Sequence, residues 1–278
     1  HILGPRMKMP IKRIWPDTER LLSKIGAVTV RNSVSIAIFL FLILIPSLFV
    51  AFPAVNAIAS GTLGDALGSI DIWKGYWQSL GLSYLVAAIV TLLNVIVGLP
   101  MAVLIARKRM GKVLPAILDI LVNVPLIVPS IALGASLYIF WKNFTFIPEI
   151  GLIIFAHLSI TYPYFVRAMA AAIERIDIDL ENASRILGAK PFTVFKTIIV
   201  PLTKYSLFAG AIMMLARSID ETGATLAVRE TLKTAPVLLA EWVEGRVPAT
   251  PLGCAFLIIF SFVVLLVLRL VVRGRGRY

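Results

Sequence analysis

The sequence predicts an all-α polytopic membrane protein with six transmembrane helices. Hydrophobic residues make up 59% of the chain and charged residues 15%, whereas soluble domains average about 45–50% and about 25%. The apolar residues fall into runs of roughly the twenty residues that a helix needs to cross the hydrocarbon of a bilayer. Backbone groups in lipid must be satisfied within the segment that crosses it, so these runs predict helices and not strands.

Six apolar runs and the polar stretches between them divide the chain. The predicted spans cover about residues 34–55, 77–106, 113–141, 150–173, 205–228 and 251–268. Together they predict a transmembrane domain over residues 34–273, preceded by a polar and basic N-terminal segment over residues 1–33. The loop 174–204 separates the fourth and fifth spans, and residues 274–278 form a basic tail.

Lysine and arginine residues set the predicted orientation. Six spans put residues 1–33, 106–112, 174–204 and 269–278 on one side, with 20 basic residues, and leave five on the opposite side. The more basic side is cytoplasmic by the positive-inside rule, so both chain termini are predicted to be cytoplasmic. The net charge of +12 then follows from topology, and binding to nucleic acid is not expected.

Few residues are available for enzyme chemistry. The chain has two histidines and one cysteine, Cys254, which lies in the last apolar run, so neither a disulfide framework nor a cysteine metal site is predicted. The sequence contains no HExxH motif and no glycine-rich phosphate loop of the Walker type. We therefore expect no catalytic residue and no ATPase site on this chain. A secondary transporter also carries charged residues in its spans and has no ATPase motif, so this functional class stays open.

The loop between the fourth and fifth spans carries helix start and stop signals. Asp177 or Asp179 can cap a short helix, and Gly188 tolerates the left-handed conformation that ends one. Pro191 is placed to open a second helical piece, and Pro201 is expected to bend or end it. These signals predict a short helical hairpin across the cytoplasmic face, with an ordinary polar connector as the alternative.

The same loop resembles the cytoplasmic signature of permease subunits of binding-protein-dependent ABC importers. That signature reads Glu-Ala-Ala, three residues, Gly, nine residues and Ile-x-Leu-Pro. With Gly188 as anchor, it falls on Asn182, Ala183, Ser184, Gly188, Ile198, Val200 and Pro201. Asn182, Ser184 and Val200 depart from the pattern, and Glu181 sits one position early. The resemblance implies a coupling helix that seats in a cleft of the ATPase. The residues expected to couple to the ATPase are Glu181, Asn182, Ala183, Ser184, Gly188, Ala189, Pro191, Ile198 and Pro201.

The resemblance also implies partners and a location. A permease of this kind works by alternating access in the plasma membrane of a prokaryote. It is paired with a second permease subunit, here expected to be an identical copy, with a pseudo-symmetric pair as the alternative. A cytoplasmic ABC ATPase dimer would hold ATP and Mg, so no cofactor is expected on this chain. An extracytoplasmic substrate-binding protein would deliver the substrate.

Further stretches resemble the oxyanion branch of this family. Residues 123–134 contain the Pro-Leu-x-x-Pro of molybdate, tungstate and sulfate permeases, and residues 216–224 resemble their Ala-Arg-x-x-x-Glu-x-Gly-Ala, with Glu221 at the glutamate. Residues 234–242 look most like the archaeal tungstate/molybdate type. The expected substrate is tungstate or molybdate. Phosphate is the nearest competitor, and sulfate, thiamine, iron and polyamine permeases stay open.

Three charged residues fall inside the predicted fifth span. Arg217, Asp220 and Glu221 are spaced i, i+3 and i+4, so one arginine is expected to meet both acids on one helix face. They either line the translocation path and its gate or form an ion-pair network that locks helices together. Two acids beside one arginine attract an oxyanion poorly, which favours the ion-pair network. Elsewhere in the spans we expect His157 to be a satisfied interior residue and Met213 and Met214 to serve packing.

Overall fold

The computed structural model describes residues 25–49, 52–60, 68, 70–108, 111, 113–144 and 146–274. Every regular element within these ranges is a helix, which confirms the predicted all-α class. Most of the predicted N-terminal segment and the last four residues of the basic tail lie outside the described residues.

The first predicted span corresponds to a helical stretch that contains a π-helical turn, followed by a separate short helix. The elements are α1 (Ile25–Ile38), a π-helical turn (Phe39–Leu44), α2 (Ile45–Phe49) and α3 (Phe52–Ala59). The apolar stretch described there, Val28–Leu44, is shorter than a bilayer-spanning helix. A first span therefore stays a prediction.

Within the described residues, four helices are long and apolar enough to cross a membrane. They are α4 (Ile70–Arg107), α7 (Glu149–Glu174), the helix over Pro191–Ile219 and α13 (Thr250–Gly274). They correspond to the second, fourth, fifth and sixth predicted spans. Helix α4 starts seven residues before the predicted boundary of 77, so the helix includes polar residues that precede the apolar run.

The third predicted span is a pair of helices, not one. The chain forms helix α5 (Val113–Ile127), bends by 109° and continues as helix α6 (Ser130–Trp141). Pro129 stands between them with φ −55° and ψ 134°. A proline lacks the N–H that a continuing helix needs, and it disfavours helical geometry at the residue before it. Together the two helices can count as one broken span, which raises the number of candidate spans in the described chain to five.

The predicted fifth span is also interrupted. The Pro191–Ile219 helix consists of α9 (Pro191–Val194), a π-helical turn (Phe195–Ile199) and α10 (Val200–Ile219). A separate short helix, α11 (Gly223–Val228), follows where the prediction ran on to residue 228. The chain then forms α12 (Ala235–Glu244) before α13.

The central core lies where α4, α7 and α10 pack together. Phe165, Met169 and Met214 are fully buried there. The packing role expected for Met214 is thus confirmed, whereas Met213 is 52% exposed in the single chain and its packing role stays a prediction. Aromatic residues form a second cluster at the far end of α4, where the Tyr76 hydroxyl donates to the Gly253 carbonyl at 2.8 Å.

Candidate functional site

A short helical hairpin follows α7, as the local signals predicted. Helix α8 (Ile178–Ile186) is capped by Asp177, whose carboxylate accepts the Asp179 N–H at 3.0 Å. Gly188 has φ +88°. Its N–H donates to the Arg185 carbonyl at 2.9 Å, and the Ala189 N–H donates to the Ser184 carbonyl at 3.0 Å. These two bonds form a Schellman motif, which satisfies carbonyl groups at the helix end.

Pro191 begins the second half of the hairpin, and the helix that starts there continues past Pro201. Pro191 occupies the first turn of α9, as predicted. The helix then continues through a π-helical turn, Phe195–Ile199, to Ile219. Pro201 lies in the first turn of α10, directly after that wider turn. A proline ring clashes with the carbonyl four residues back in a regular helix, and the π-helical turn relieves this clash, so the helix does not end.

The tip of the α8–α9 hairpin exposes large apolar side chains. Ile186 is 86% exposed, Leu187 is 88% exposed and Phe192 is 72% exposed. They flank the Gly188 turn, beside the charged and polar residues of α8. Apolar groups gathered on a polar element are typical of a surface that another protein covers.

The residues expected to couple to an ATPase differ widely in exposure. Asn182, Ala183, Gly188, Pro191 and Pro201 are exposed, Ser184, Ala189 and Ile198 are half-buried, and Glu181 is buried. The structure thus brings most of them together on one hairpin. It turns the Glu181 side chain inward, away from any surface that a partner can contact.

Glu181 forms an ion pair that the sequence did not predict. Its Oε1 lies 2.7 Å from Nε of Arg107, the last residue of α4, and both side chains are almost fully buried. Arg107 also donates from Nη1 to the Ile176 carbonyl at 3.1 Å. The two charged residues are 74 positions apart, so no local pattern signals the pair.

A second polar cluster surrounds the break between α10 and α11. Arg217 Nη2 lies 2.6 Å from Glu221 Oε2, and Glu221 is 1% exposed. The other carboxylate oxygen of Glu221 accepts the Ala224 N–H at 2.8 Å. Asp220 is exposed at the helix end. The expectation that Arg217 meets both acids was wrong for Asp220, whose side chain is exposed at the C-cap of α10 while Arg217 pairs with Glu221.

His157 bridges the same break. Its Nδ1 lies 2.8 Å from Ser218 Oγ on α10, and its Nε2 lies 2.8 Å from Thr225 Oγ1 on α11. The ring is fully buried. A satisfied interior histidine is confirmed, and its connecting position between two helices is new information from the structure.

Two helix breaks face each other across a close contact. A Cβ atom added to Gly134 on α6 would lie 2.7 Å from the Ala224 backbone on α11. A Cβ on Gly223 would overlap Ser130 at the start of α6. Small residues allow helix backbones to approach this closely. Broken helices at membrane depth are tolerated where they are buried in protein or line a cavity.

Charged residues line a cavity at the hairpin end of the helices. The cavity has a volume of about 450 Å³ and is lined in part by Lys108, Asp119, Arg167 and Glu174. Arg167 lies within α7, is exposed, and donates to Asn123 Oδ1 at 3.2 Å. A charged side chain exposed on a membrane-spanning helix normally faces water or another protein and not lipid.

At the opposite end of α7, Glu149 fastens a loop. Its Oε1 accepts the N–H groups of Glu230, Thr231 and Leu232, each at 2.7 Å, and its Oε2 accepts the Thr231 hydroxyl at 2.7 Å. One carboxylate therefore fixes the loop that joins α11 to α12. Because these residues are more than 80 positions apart in sequence, sequence reasoning did not identify them.

These features together are typical of one class of membrane protein. Long apolar helices, two helix breaks in contact and a hairpin with an apolar tip between two spans are the parts of a membrane subunit of a transport system. Residues 98–275 match the family described as "Binding-protein-dependent transport system inner membrane component". The chain belongs to this family, which confirms the resemblance found in its loop. It is a multi-pass membrane protein, and family membership implies ATPase and binding-protein partners.

Several relatives are named as oxyanion permeases. The chain is 30% identical to the molybdenum transport system permease protein ModB of Escherichia coli (strain K12), over 66% of this chain and 86% of that protein. It is 30% identical to the molybdate/tungstate transport system permease protein WtpB of Pyrococcus furiosus, over 72% of this chain and 79% of that protein. It is 28% identical to WtpB of Methanocaldococcus jannaschii, over 87% and 98%.

Solved structures show the same fold. The inward-facing MetNI methionine ABC transporter superposes with a TM-score of 0.62 at 18% identity, covering 74% of this chain and 96% of that one. An amino acid ABC transporter superposes with a TM-score of 0.51 at 18% identity, covering 76% and 97%. At this identity the likeness shows the fold alone.

Proposed function

We propose that this chain is the permease subunit of an ATP-driven importer for tungstate, molybdate or a related oxyanion. The observation that carries the proposal is the α8–α9 hairpin, whose apolar tip stands exposed beside a left-handed glycine between two membrane helices. A secondary transporter has no need of such a docking element. The names of the relatives support the substrate class.

The hairpin is proposed to dock in a cleft of a cytoplasmic ABC ATPase dimer. Its exposed residues, from Asn182 to Pro191, supply the contact surface. ATP and Mg are held by that ATPase, and this chain carries no cofactor of its own. Closure of the ATPase dimer on ATP draws two such hairpins together and switches the access of the pathway. This role places the hairpin and both chain termini on the cytoplasmic side, in agreement with the distribution of lysine and arginine.

The pathway is proposed to run along the interface between two identical copies of the chain. The cavity beside Arg167 and Asn123 supports this arrangement, since its charged lining needs water or a partner surface. The Arg217–Glu221 pair is proposed to brace the helix break, because Glu221 is buried, paired and bound to the α11 backbone. Asp220, exposed at the same break, is the residue of this cluster that can face the pathway.

Reconstitution tests the function directly. The chain would be co-expressed with its candidate ATPase and binding protein, purified and placed in proteoliposomes. We expect ATP-dependent uptake of tungstate or molybdate that requires the binding protein. Uptake of phosphate or sulfate in their place would correct the substrate and leave the importer class standing. Uptake without any ATPase, driven by an ion gradient, would identify a secondary transporter and contradict the proposal.

A further inference from the structure

One buried ion pair joins the α8–α9 hairpin to a membrane helix. Arg107 ends α4, and its side chain is 5% exposed, while the Glu181 side chain in α8 is 0% exposed. A buried charge is tolerated only when it is paired and hydrogen-bonded. The pair therefore connects the hairpin base to the end of α4.

The guanidinium of Arg107 holds two points of the hairpin base. Nε contacts the Glu181 carboxylate at 2.7 Å, and Nη1 donates to the Ile176 carbonyl at 3.1 Å, just before the α8 cap. Arginine presents its donors in a rigid planar fork, so two such contacts fix direction as well as distance. By contrast, the other faces of α8 are open, with Ile178 45% exposed and Leu180 51% exposed.

Helix α4 leads from this joint through the whole described fold. It has 38 residues, which corresponds to about 57 Å at the rise of an α-helix. Along its length it packs on α7 and α10, and near its other end Tyr76 donates to the Gly253 carbonyl on α13. A displacement applied to its hairpin end can therefore reach the far end of the molecule along one continuous helix, which contains Pro100.

We propose that the Arg107–Glu181 pair is the joint that transmits movement of the hairpin to α4. This inference rests on the proposed importer function and adds two positioning residues to it. Neither side chain contacts the ATPase or the substrate. Without the pair, the hairpin still docks on the ATPase, but α8 can pivot at its base and α4 no longer follows. ATP hydrolysis then proceeds without driving transport.

The test is the variant Glu181→Gln, which keeps shape and removes charge. The matched control is Asp179→Asn, an exposed carboxylate on the same helix. In proteoliposomes with ATPase and binding protein, we measure ATP hydrolysed per oxyanion transported. We expect this ratio to rise by at least about fivefold in Glu181→Gln, the lower range of coupling effects, with ATPase association unchanged. Asp179→Asn should keep the wild-type ratio.

A purely structural role gives a different result. In that case Glu181→Gln lowers thermal stability but leaves the ratio at its wild-type value, which overturns the proposal. If Glu181→Gln does not fold, Arg107→Lys serves instead, since it keeps the charge but removes the second contact of the fork. If the wild-type chain binds no ATPase, the importer function itself is contradicted. This result differs from one in which the wild type is coupled and only the role of the Arg107–Glu181 pair is contradicted.

A distance measurement provides an independent check. Spin labels at Leu180 and Lys108, in a Cys254→Ser background, report the separation of α8 from the end of α4. We expect one narrow distance distribution that stays the same with and without ATP in the labelled wild type, and a broad one in Glu181→Gln. A distance that changes with ATP in the wild type would show that the joint opens and would contradict the proposal.

Discussion

Replacement of Gly188 by valine tests whether the α8–α9 hairpin is a docking element. Gly188 has φ +88°, and a Cβ atom at this position would meet no other atom of the chain within 4 Å. The cost of Gly188→Val is therefore backbone strain alone, about 1–2 kcal/mol for a left-handed residue with a side chain. The bilayer-crossing helices are unaffected, so we expect normal membrane insertion.

The strain becomes a loss of affinity because the docked hairpin needs the left-handed turn. If valine shifts the free hairpin to another turn, the hairpin must return to the left-handed turn when it docks, and the strain energy is subtracted from the binding free energy. A loss of about 1.4 kcal/mol corresponds to a tenfold weaker complex. A side chain at the turn also enters the proposed ATPase cleft and weakens binding further. Pull-down with purified ATPase and titration of ATPase stimulation measure the change. Wild-type ATPase affinity and wild-type transport in Gly188→Val would refute the docking role.

Gly111 provides the matched control. It lies between α4 and α5 with φ +87°, and a Cβ atom there also meets nothing within 4 Å. Gly111→Val thus introduces the same strain outside the hairpin. We expect it to lower stability by a similar amount and to leave ATPase affinity unchanged. Equal loss of affinity in both variants would mean that general destabilisation, and not the hairpin turn, is responsible.

Three further predictions concern the helix breaks and the topology. Arg217→Ala leaves Glu221 buried without its cation and should lower stability by about 3 kcal/mol, measured by thermal unfolding in detergent; an unchanged melting temperature would contradict the brace. Gly134→Ala should push α6 away from α11 and cost about 1–3 kcal/mol, with transport reduced more than in a surface Gly→Ala variant. In a Cys254→Ser background, a cysteine at Leu187 should be labelled only from the cytoplasm and one at Phe146 only from outside; the opposite pattern would invert the topology.

Local signals in the sequence predicted the hairpin well. Asp177, Gly188 and Pro191 each act on backbone groups within a few residues, so their effects can be read without knowing the fold. The long apolar runs were equally informative, because bilayer thickness fixes the length of a span. Helices α4, α7 and α13 accordingly lie where the runs predicted them.

Helix breaks and long-range ion pairs were not predictable in the same way. Pro129 indicates that a helix is interrupted, but the 109° bend depends on how α6 packs against α11. The end of α10 at Ile219, which no proline marks, was also not predicted. Arg107 and Glu181 meet only because α4 and α7 pack side by side and bring their ends together.

Buried polar side chains at the break between α10 and α11 have hydrogen-bond or ion-pair partners. The Glu221 carboxylate accepts the Ala224 N–H that a continuous helix would satisfy internally. His157 ties the two helices together from α7. Since breaking a buried polar network costs more than its parts suggest, α11 cannot swing freely at this point.

The close contact at Gly134 extends this constraint to α6, whose backbone touches that of α11. Packed backbones without a layer of side chains between them cannot slide without collision. The two short helices α6 and α11 therefore have to move as one body. Because the polar groups around Glu221 and His157 hold α11 to α10 and α7, this body is also tied to the long helices at the α10–α11 break.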